Sequence, residues 1–258
     1  TDFSKIKEKI KKYSKKIKGV IAQGSDIPEI VSRIENYLKI KNRVPIKSAK
    51  ICSNKKLMKE FFKENKIPTP NQYYNYKKIK KIKFPVVVKP IDMSGAKGVF
   101  ICKNKTELNK FSKISKNISN KKKIIIEKFY DGPQLSTETI IINNKSFTYG
   151  FAERNYKDTL SLQPNIIENG GIQPAKNLTK YKPLVNKYIK KIAKNLNIKN
   201  GIIKSDIVIK EKKIYFIEIA LRLSGGDFSE TLIPKSTGVD IIKCAIKNAA
   251  SLKVENWE

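Results

Sequence analysis

The sequence predicts an α/β (α+β) fold, on three observations. Segments with strand-like apolar patterning recur between segments whose apolar residues fall three and four apart. Residues 19–38 read as one β–α unit of an open sheet. Two later stretches, 135–152 and 201–222, each read as a β-hairpin. At 258 residues the chain can bury a substantial core, in one large domain or two small ones.

The elements follow in order. Residues 4–18 (SKIKEKIKKYSKKIK) place Ile6, Ile10, Tyr13 and Ile17 on one face, predicting a basic amphipathic helix packed on the next strand. Residues 19–23 (GVIAQ) predict a short buried strand. Ser25 or Asp26 then caps a helix running to about Leu38, with Pro28 in its first turn. A β–α unit that begins mid-fold is expected to be the tail of a Rossmann-like sheet, and the chain a fragment or a reduced version. Asn54 caps the helix NKKLMKEFFKENK, which ends before Ile67-Pro68-Thr69-Pro70. Strands are predicted at 84–89, 99–102, 123–128, 135–142 and 145–152, with a helix at 106–116 and a turn at Asn143-Asn144. Residues 154–176 are expected to form a long, mobile active-site loop. Helices at 180–195 and 239–250 flank the 201–222 hairpin.

Composition removes several functions. There is no histidine, which excludes Ser-His-Asp, Cys-His and His-metal chemistry. Cys52, Cys102 and Cys244 are scattered without metal-ligand spacing, as expected of reduced thiols in a cytoplasm. No stretch is apolar enough to span a bilayer and no signal peptide is visible. The net charge of +32 invites a nucleic-acid reading, but the cations are nearly all lysines spread among Ile and Asn. Phosphate-reading surfaces enlist arginine for its bidentate fork, and only Arg33, Arg43, Arg154 and Arg222 occur.

Three segments carry chemistry. In GIIKSDIVIKEKKIYFIEIALRLSGG, a hairpin turning around Lys212 sets Asp206 opposite Glu218 and Lys204 opposite Ala220. Side-chain alternation then puts Lys204, Asp206, Glu218, Ala220 and Arg222 on one face and Ile203, Ile207, Ile217, Ile219 and Leu221 on the other. Two facing carboxylates repel unless a proton or cation lies between them, so this face suits Mg²⁺ holding phosphate oxygens; an ordinary solvated hairpin face is the bland alternative. In FPVVVKPIDMSGAKGV, a buried strand delivers Lys89, and the small-residue loop Ser94-Gly95-Ala96-Lys97-Gly98 lets backbone N–H groups approach phosphate. It lacks the GK[ST] of a Walker A loop. In IIIEKFYDGPQLSTE, a strand ends in Glu127, where a carboxylate and the backbone near Lys128, Phe129 and Tyr130 can meet a base edge.

Together and in this order, the three segments resemble the ATP-grasp superfamily, nearest to its carboxylate–amine ligases. The resemblance implies an ATP-grasp fold: two α+β subdomains clamping ATP, with 71–133 as the small lid subdomain, 134–258 as the large subdomain, and 1–70 as a partial Rossmann-like segment before them. It implies ATP and Mg²⁺ as cofactors. Lys89 would hold the α- and β-phosphates, and Ser94 to Gly98 would fold over the triphosphate with Lys97 adding charge. Glu127 and the Lys128–Tyr130 backbone would contact adenine, and Gln134 the ribose, where the family usually has Glu. Asp206 and Glu218 would bind Mg²⁺. Lys204 and Arg222 would stabilise the transferred phosphate and the acyl-phosphate. Arg154 is expected to clamp a substrate carboxylate, with Ser224, Gly225 and Gly226 beside it. The family's usual Glu-x-Asn here reads Glu218-Ile219-Ala220, so one amide metal ligand is replaced by a methyl group. The implied activity is ligation of a small carboxylate to an amine through an acyl-phosphate. A phosphotransferase, or a nucleotide-binding module without turnover, are the alternatives. Relatives of this type often dimerise, so a homodimer is allowed; neither nucleic acid nor membrane is expected as a partner.

Overall fold

In the computed structural model, residues 2–73, 82–156, 158 and 161–254 are described. Two antiparallel sheets organise them. The smaller is β2–β1–β3, built from β1 (Val86–Pro90), β2 (Phe100–Cys102) and β3 (Ile124–Lys128). The larger is β6–β5–β4–β7–β8, built from β4 (Gln134–Ile142), β5 (Lys145–Arg154), β6 (Gly171–Ile172), β7 (Gly201–Lys210) and β8 (Lys213–Ala220). Mixed helices and antiparallel sheets are what the sequence predicts.

Each sheet has its own core. Val86, Val88, Cys102 and Ile126 of the small sheet pack on Leu108 of α5 (Lys105–Ile118), whose first turn is capped by Asn104. One face of the large sheet, with Leu135, Ile203, Ile207 and Phe216, buries against α6 (Lys182–Asn195) and Phe62 of α4 (Lys55–Glu64). Ile140, Ala152 and Ile202 instead meet α7 (Ile233–Thr237) and α8 (Ile241–Ala249). β4 serves both cores because its side chains alternate, Leu135 and Ile141 facing one and Ile140 the other; on its pairing with β5 a bulge lies opposite Glu138 and Thr139.

The hairpin register holds where it matters. Asp206 pairs with Glu218 and Lys204 with Ala220, as alternation demands. Beyond Asp206 a bulge shifts the pairing to Ile207–Phe216, and the turn closes on Glu211-Lys212, both at positive φ. This is a two-residue turn whose twist suits a hairpin. The bulge corrects one expectation: Ile217 leaves the core face and lines a cavity, while Phe216 becomes fully buried in its place.

The N-terminal region departs further. The first helix is only α1 (Phe3–Lys11), and Tyr13 is 49% exposed. Lys7, Lys11 and Lys15 follow at i,i+4 spacing, and their repulsion opposes extending it. Residues 19–23 form no strand; Gln23 makes a single parallel bridge to Leu223. A Rossmann-like sheet is therefore not shown. Asp26 does not cap α2 (Pro28–Tyr37): Ile27 holds that position without a side-chain bond, because the Asp26 carboxylate is drawn to Arg222. The unpredicted helix α3 (Ile46–Cys52) completes this region, and a π-helical turn (Phe228–Leu232) precedes α7.

Glu35 of α2 is 4% exposed and accepts from the Val44 N–H at 3.0 Å. Burial raises its pKa to about 7, against the pull of that bond and of Arg43. A carboxyl raised from 4.5 to about 7 binds protons more tightly folded than unfolded, so its contribution to stability is full below pH 4.5 and is lost as pH rises through 7. Glu35→Gln keeps the acceptor and removes the titration. Its stability, from urea unfolding, is expected to exceed the parent's by an amount that grows above pH 4.5 and levels off past pH 7, on the order of 3 kcal/mol. A constant difference across that range would refute this.

Candidate active site

A cavity of about 510 Å³ opens between the two sheets. Its floor is the site-facing side of the large sheet: Gln134 from β4, Arg154 from β5, Lys204, Asp206 and Val208 from β7, and Glu218 from β8. Its roof comes from the small sheet and its loop: Val87, Lys89, Ser94, Gly95, Ala96 and Val99. Lys128, Phe129 and Tyr130 form the connection between the sheets and line it too. Apolar Val87, Val208 and Ile217 face the same space as the charged groups, so one part of the cavity suits a flat apolar ring and another an anion.

The charged groups are paired with one another. Lys204 Nζ contacts both Asp206 oxygens, at 2.7 and 2.5 Å, and Ser136 Oγ donates to the same carboxylate at 2.9 Å. Lys55 Nζ lies 3.0 Å from Glu218 Oε2 and donates to the Met93 carbonyl at 2.8 Å. Burial pushes the Glu218 pKa up, but Lys55, Lys204 and Lys89 together outweigh it and hold it at about 2. Arg154 pairs with Glu168. Arg222 makes a forked contact with Asp26, Nε to Oδ1 at 2.8 Å and an NH2 nitrogen to Oδ2 at 3.1 Å.

Glu127 is 1% exposed and lies between two lysines, Lys89 Nζ at 2.8 Å and Lys59 Nζ at 3.2 Å. Its carboxylate is thus first a partner of these ammonium groups, although Oε1 has no hydrogen bond in good geometry. Burial opposes its charge; the two lysines win and lower its pKa. Lys59 also donates to Thr69 Oγ1 at 2.7 Å and the Phe216 carbonyl at 3.2 Å, and burial brings its pKa down to about 8.

Lys89, Ser94, Gly95, Glu127, Lys128, Phe129, Tyr130, Gln134, Arg154, Lys204, Asp206, Glu218 and Arg222 all line this cavity. Two expected members of the loop do not. Lys97 is exposed and turned out, its N–H directed back to the Ser94 carbonyl. Gly98 is buried at φ +73°, where a Cβ would lie 2.9 Å from Pro90 Cγ; its role here is packing. Ser224, Gly225 and Gly226 line a neighbouring cavity of about 440 Å³, which shares Arg154, Glu168, Lys204 and Arg222 with the first. The Ser224 N–H and Ser229 Oγ both donate to Glu138, a fully buried carboxylate that fixes this loop to β4.

Residues 154–176 are less irregular than expected. β6 lies within them, and the Ile101 N–H of β2 donates to the Pro164 carbonyl at 2.9 Å, so the segment reaches from the large sheet to the edge of the small one. Residues 157, 159 and 160 of this stretch lie outside the described residues.

Sequence reasoning missed Lys55, Lys59 and Asp26. Lys55 and Lys59 are one turn apart at the start of α4, immediately after its Asn54 cap. That spacing was readable; their carboxylate partners, distant in sequence, were not.

A family model for the ATP-grasp domain matches residues 52–226. The chain belongs to the ATP-grasp domain family. It is 26% identical over 231 residues to the carbamoyl phosphate synthase large chain of Caldanaerobacter subterraneus subsp. tengcongensis, covering 84% of this chain and 20% of that one. With the D-alanine–D-alanine ligase of Fusobacterium nucleatum subsp. nucleatum it shares 27% identity, over 71% of this chain and 60% of the relative. The chain therefore spans one fifth to three fifths of the length of these relatives. Among solved structures, the L-amino acid ligase of Bacillus licheniformis superposes with a TM-score of 0.78 at 19% identity, over 96% of this chain and 59% of that one. The biotin carboxylase domain of Hydrogenobacter thermophilus 2-oxoglutarate carboxylase, solved with MgADP and bicarbonate, gives 0.79 at 18%, over 99% and 58%. At these identities the likeness shows the fold. No described helix of this ATP-grasp chain is long and apolar enough to cross a membrane.

The donor chemistry can be tested against a divalent ion. Among the described residues no group of three or more His, Cys, Asp or Glu could cage a metal. Mg²⁺ does not need one: it takes one or two carboxylates and completes its shell with phosphate and water. The cross-strand pair Asp206 and Glu218 fits that requirement for one ion. Ala220, opposite Lys204, offers nothing to a second.

Asp26 is the group that orients Arg222. Asp26→Ala is expected to leave the guanidinium charged and held only by its 3.2 Å bond to the Leu223 carbonyl, and to lower the rate of any reaction that Arg222 serves by about tenfold to a hundredfold. Asp26→Glu should restore part of it. A rate unchanged in Asp26→Ala, measured as ADP release, would show the fork to be incidental.

Proposed function

We propose that this chain joins a small carboxylate to an amine at the expense of ATP, by way of an acyl-phosphate. The observation that carries this is the placement of Asp206 and Glu218, facing each other on the first cavity's floor and ringed by Lys55, Lys89, Lys204 and Arg222, of which Lys204 and Arg222 also line the second cavity. The first cavity suits a nucleotide: an apolar part for the base, with the Lys128–Tyr130 backbone and Glu127 at its edge, Gln134 for the ribose, and lysines for the phosphates. Mg²⁺ held by Asp206 and Glu218 would neutralise phosphate charge. In this reading nucleotide entry exchanges partners: the carboxylates turn to the metal, and Lys55 and Lys204 turn to phosphate.

The substrate carboxylate, in the second cavity, attacks the γ-phosphorus. The bond to the β,γ-bridging oxygen breaks and ADP leaves with the electron pair. The amine then attacks the acyl carbon, the bond to phosphate breaks, phosphate leaves and the amine proton passes to solvent. No protein nucleophile is needed, so a chain without histidine can do this. Arg222, Lys204 and Lys89 stabilise negative charge spread over the transferring group, each worth on the order of 10²-fold in rate. The division into a lid subdomain, 71–133, and a large subdomain, 134–258, is supported by the separate cores of the two sheets.

Ala220 favours a second reading, a nucleotide-binding module without turnover. The test is ADP and phosphate release from MgATP across a panel of acids with hydroxylamine as the trapping amine, beside nucleotide-induced thermal stabilisation. Hydroxamate formed with ADP and phosphate supports the ligase. Stabilisation by MgATP with no ADP from any acid supports the module.

A further inference from the structure

The second cavity has a charged end and an apolar end. Arg154, Lys204 and Arg222 stand where it joins the first cavity; Ala152, Ile172, Phe228 and Leu232 form the remainder of its wall with glycines and a few polar groups. Two of these apolar residues are exposed for their type: Ile172 by 48% and Leu232 by 44%. They gain cover if the occupant of the cavity is apolar there.

Apart from Ser224, whose Oγ is buried without a partner, the polar side chains along this wall are committed elsewhere. Gln173 receives the Phe151 N–H on Oε1 and donates through Nε2 to the Tyr149 carbonyl and Ser236 Oγ. Ser136 Oγ donates to Asp206. Glu168, the cavity's one acidic lining residue among those described, is held by Arg154 and receives the Tyr156 hydroxyl at 3.3 Å. A substrate side chain ending in a carboxylate, amide or ammonium would displace water there with the enclosed Ser224 hydroxyl as its one uncommitted side-chain partner, too little to satisfy a charged or amide group, and a site discriminates against such a group.

Building on the reading that this cavity presents a carboxylate to ATP, we propose that the acid is a monocarboxylate with a branched apolar group of leucine size. Its carboxylate lies toward Lys204 and Arg222, and its branched end lies against Ile172, Phe228 and Leu232. The chemistry is shared by an apolar amino acid and by the corresponding fatty acid.

The test measures ADP release by the full chain with MgATP and hydroxylamine, using acetate, butyrate, 4-methylpentanoate, L-leucine, L-glutamate and L-lysine. Each added methylene should raise kcat/KM by about fourfold. The expected result is that 4-methylpentanoate or L-leucine exceeds acetate, glutamate and lysine at least tenfold; which of the two is preferred tells amino acid from fatty acid. Leu232→Asp should erase that preference while leaving the thermal shift with MgATP unchanged. Glutamate, lysine or acetate serving as well as leucine overturns the inference and leaves the ligase reading standing. No ADP release with any acid, despite a thermal shift with MgATP, overturns both.

Discussion

Glu127→Gln is expected to destabilise the protein by about 3–5 kcal/mol, since it leaves buried ammonium groups without their counter-charge. Lys59 is 1% exposed and Lys89 7%, and Glu127 is the acidic partner of both. The other bonds of Lys59, to Thr69 and to the Phe216 carbonyl, are to neutral oxygens and cannot replace a carboxylate. The pH dependence has a definite sign. The Lys59 pKa is about 8 when folded and 10.5 unperturbed, so the unfolded chain binds more protons between those values and stability rises with pH across them. Without Glu127 the folded pKa drops further and the window widens downward. The deficit of Glu127→Gln, from urea unfolding, should therefore shrink as pH rises toward 8, where the parent's Lys59 still holds its proton and the variant's has lost it, and stay constant above that. A loss below about 1 kcal/mol at pH 7, the range of an exposed pair, would show that this triad is not dry.

The second large effect concerns the opposed carboxylates. Asp206→Asn combined with Glu218→Gln should remove the dependence of nucleotide binding on Mg²⁺ and leave the fold intact. Both residues border a cavity, and both changes keep side-chain shape. In the parent, MgATP at a hundred times its Kd should raise stability by about 2.7 kcal/mol. In the double variant Lys55 and Lys204 lose their partners, so metal-free ATP is expected to bind at least as well as before, and adding Mg²⁺ should bring no further gain. Calorimetry with and without Mg²⁺ reads both outcomes. A persistent Mg²⁺-dependent gain in the double variant would remove Asp206 and Glu218 from the metal site.

Within the site, what was legible in the sequence is what alternation along a strand controls. Lys204, Asp206, Glu218 and Ala220 share a face because the period is two, and their pairing follows from a short turn between apolar strands. Lys89 on a buried strand and the small-residue loop after it were readable in the same way. Ile217 was not, because the one extra residue in the hairpin puts it on the same side as Glu218 and nothing local announces that. Lys97 was misplaced because a loop's composition shows that it can turn, not which way its side chains point.

Apart from the unformed strand at 19–23, the helix α3 and the short strand β6, the order of strands and helices was determined by the sequence alone, as were the facing carboxylates and the absence of any histidine chemistry, since each depends on neighbours near in the chain or on composition. Only the tertiary structure decided the ion pairs. Asp26 looks like a helix cap until Arg222, 196 residues away, claims it. Lys59 looks like a solvated helix residue until the fold encloses it with Glu127. The physical reason is the same in both cases. A charge finds its lowest free energy with whichever opposite charge the completed fold brings into the same poorly hydrated space, and distance along the chain does not specify which one that is.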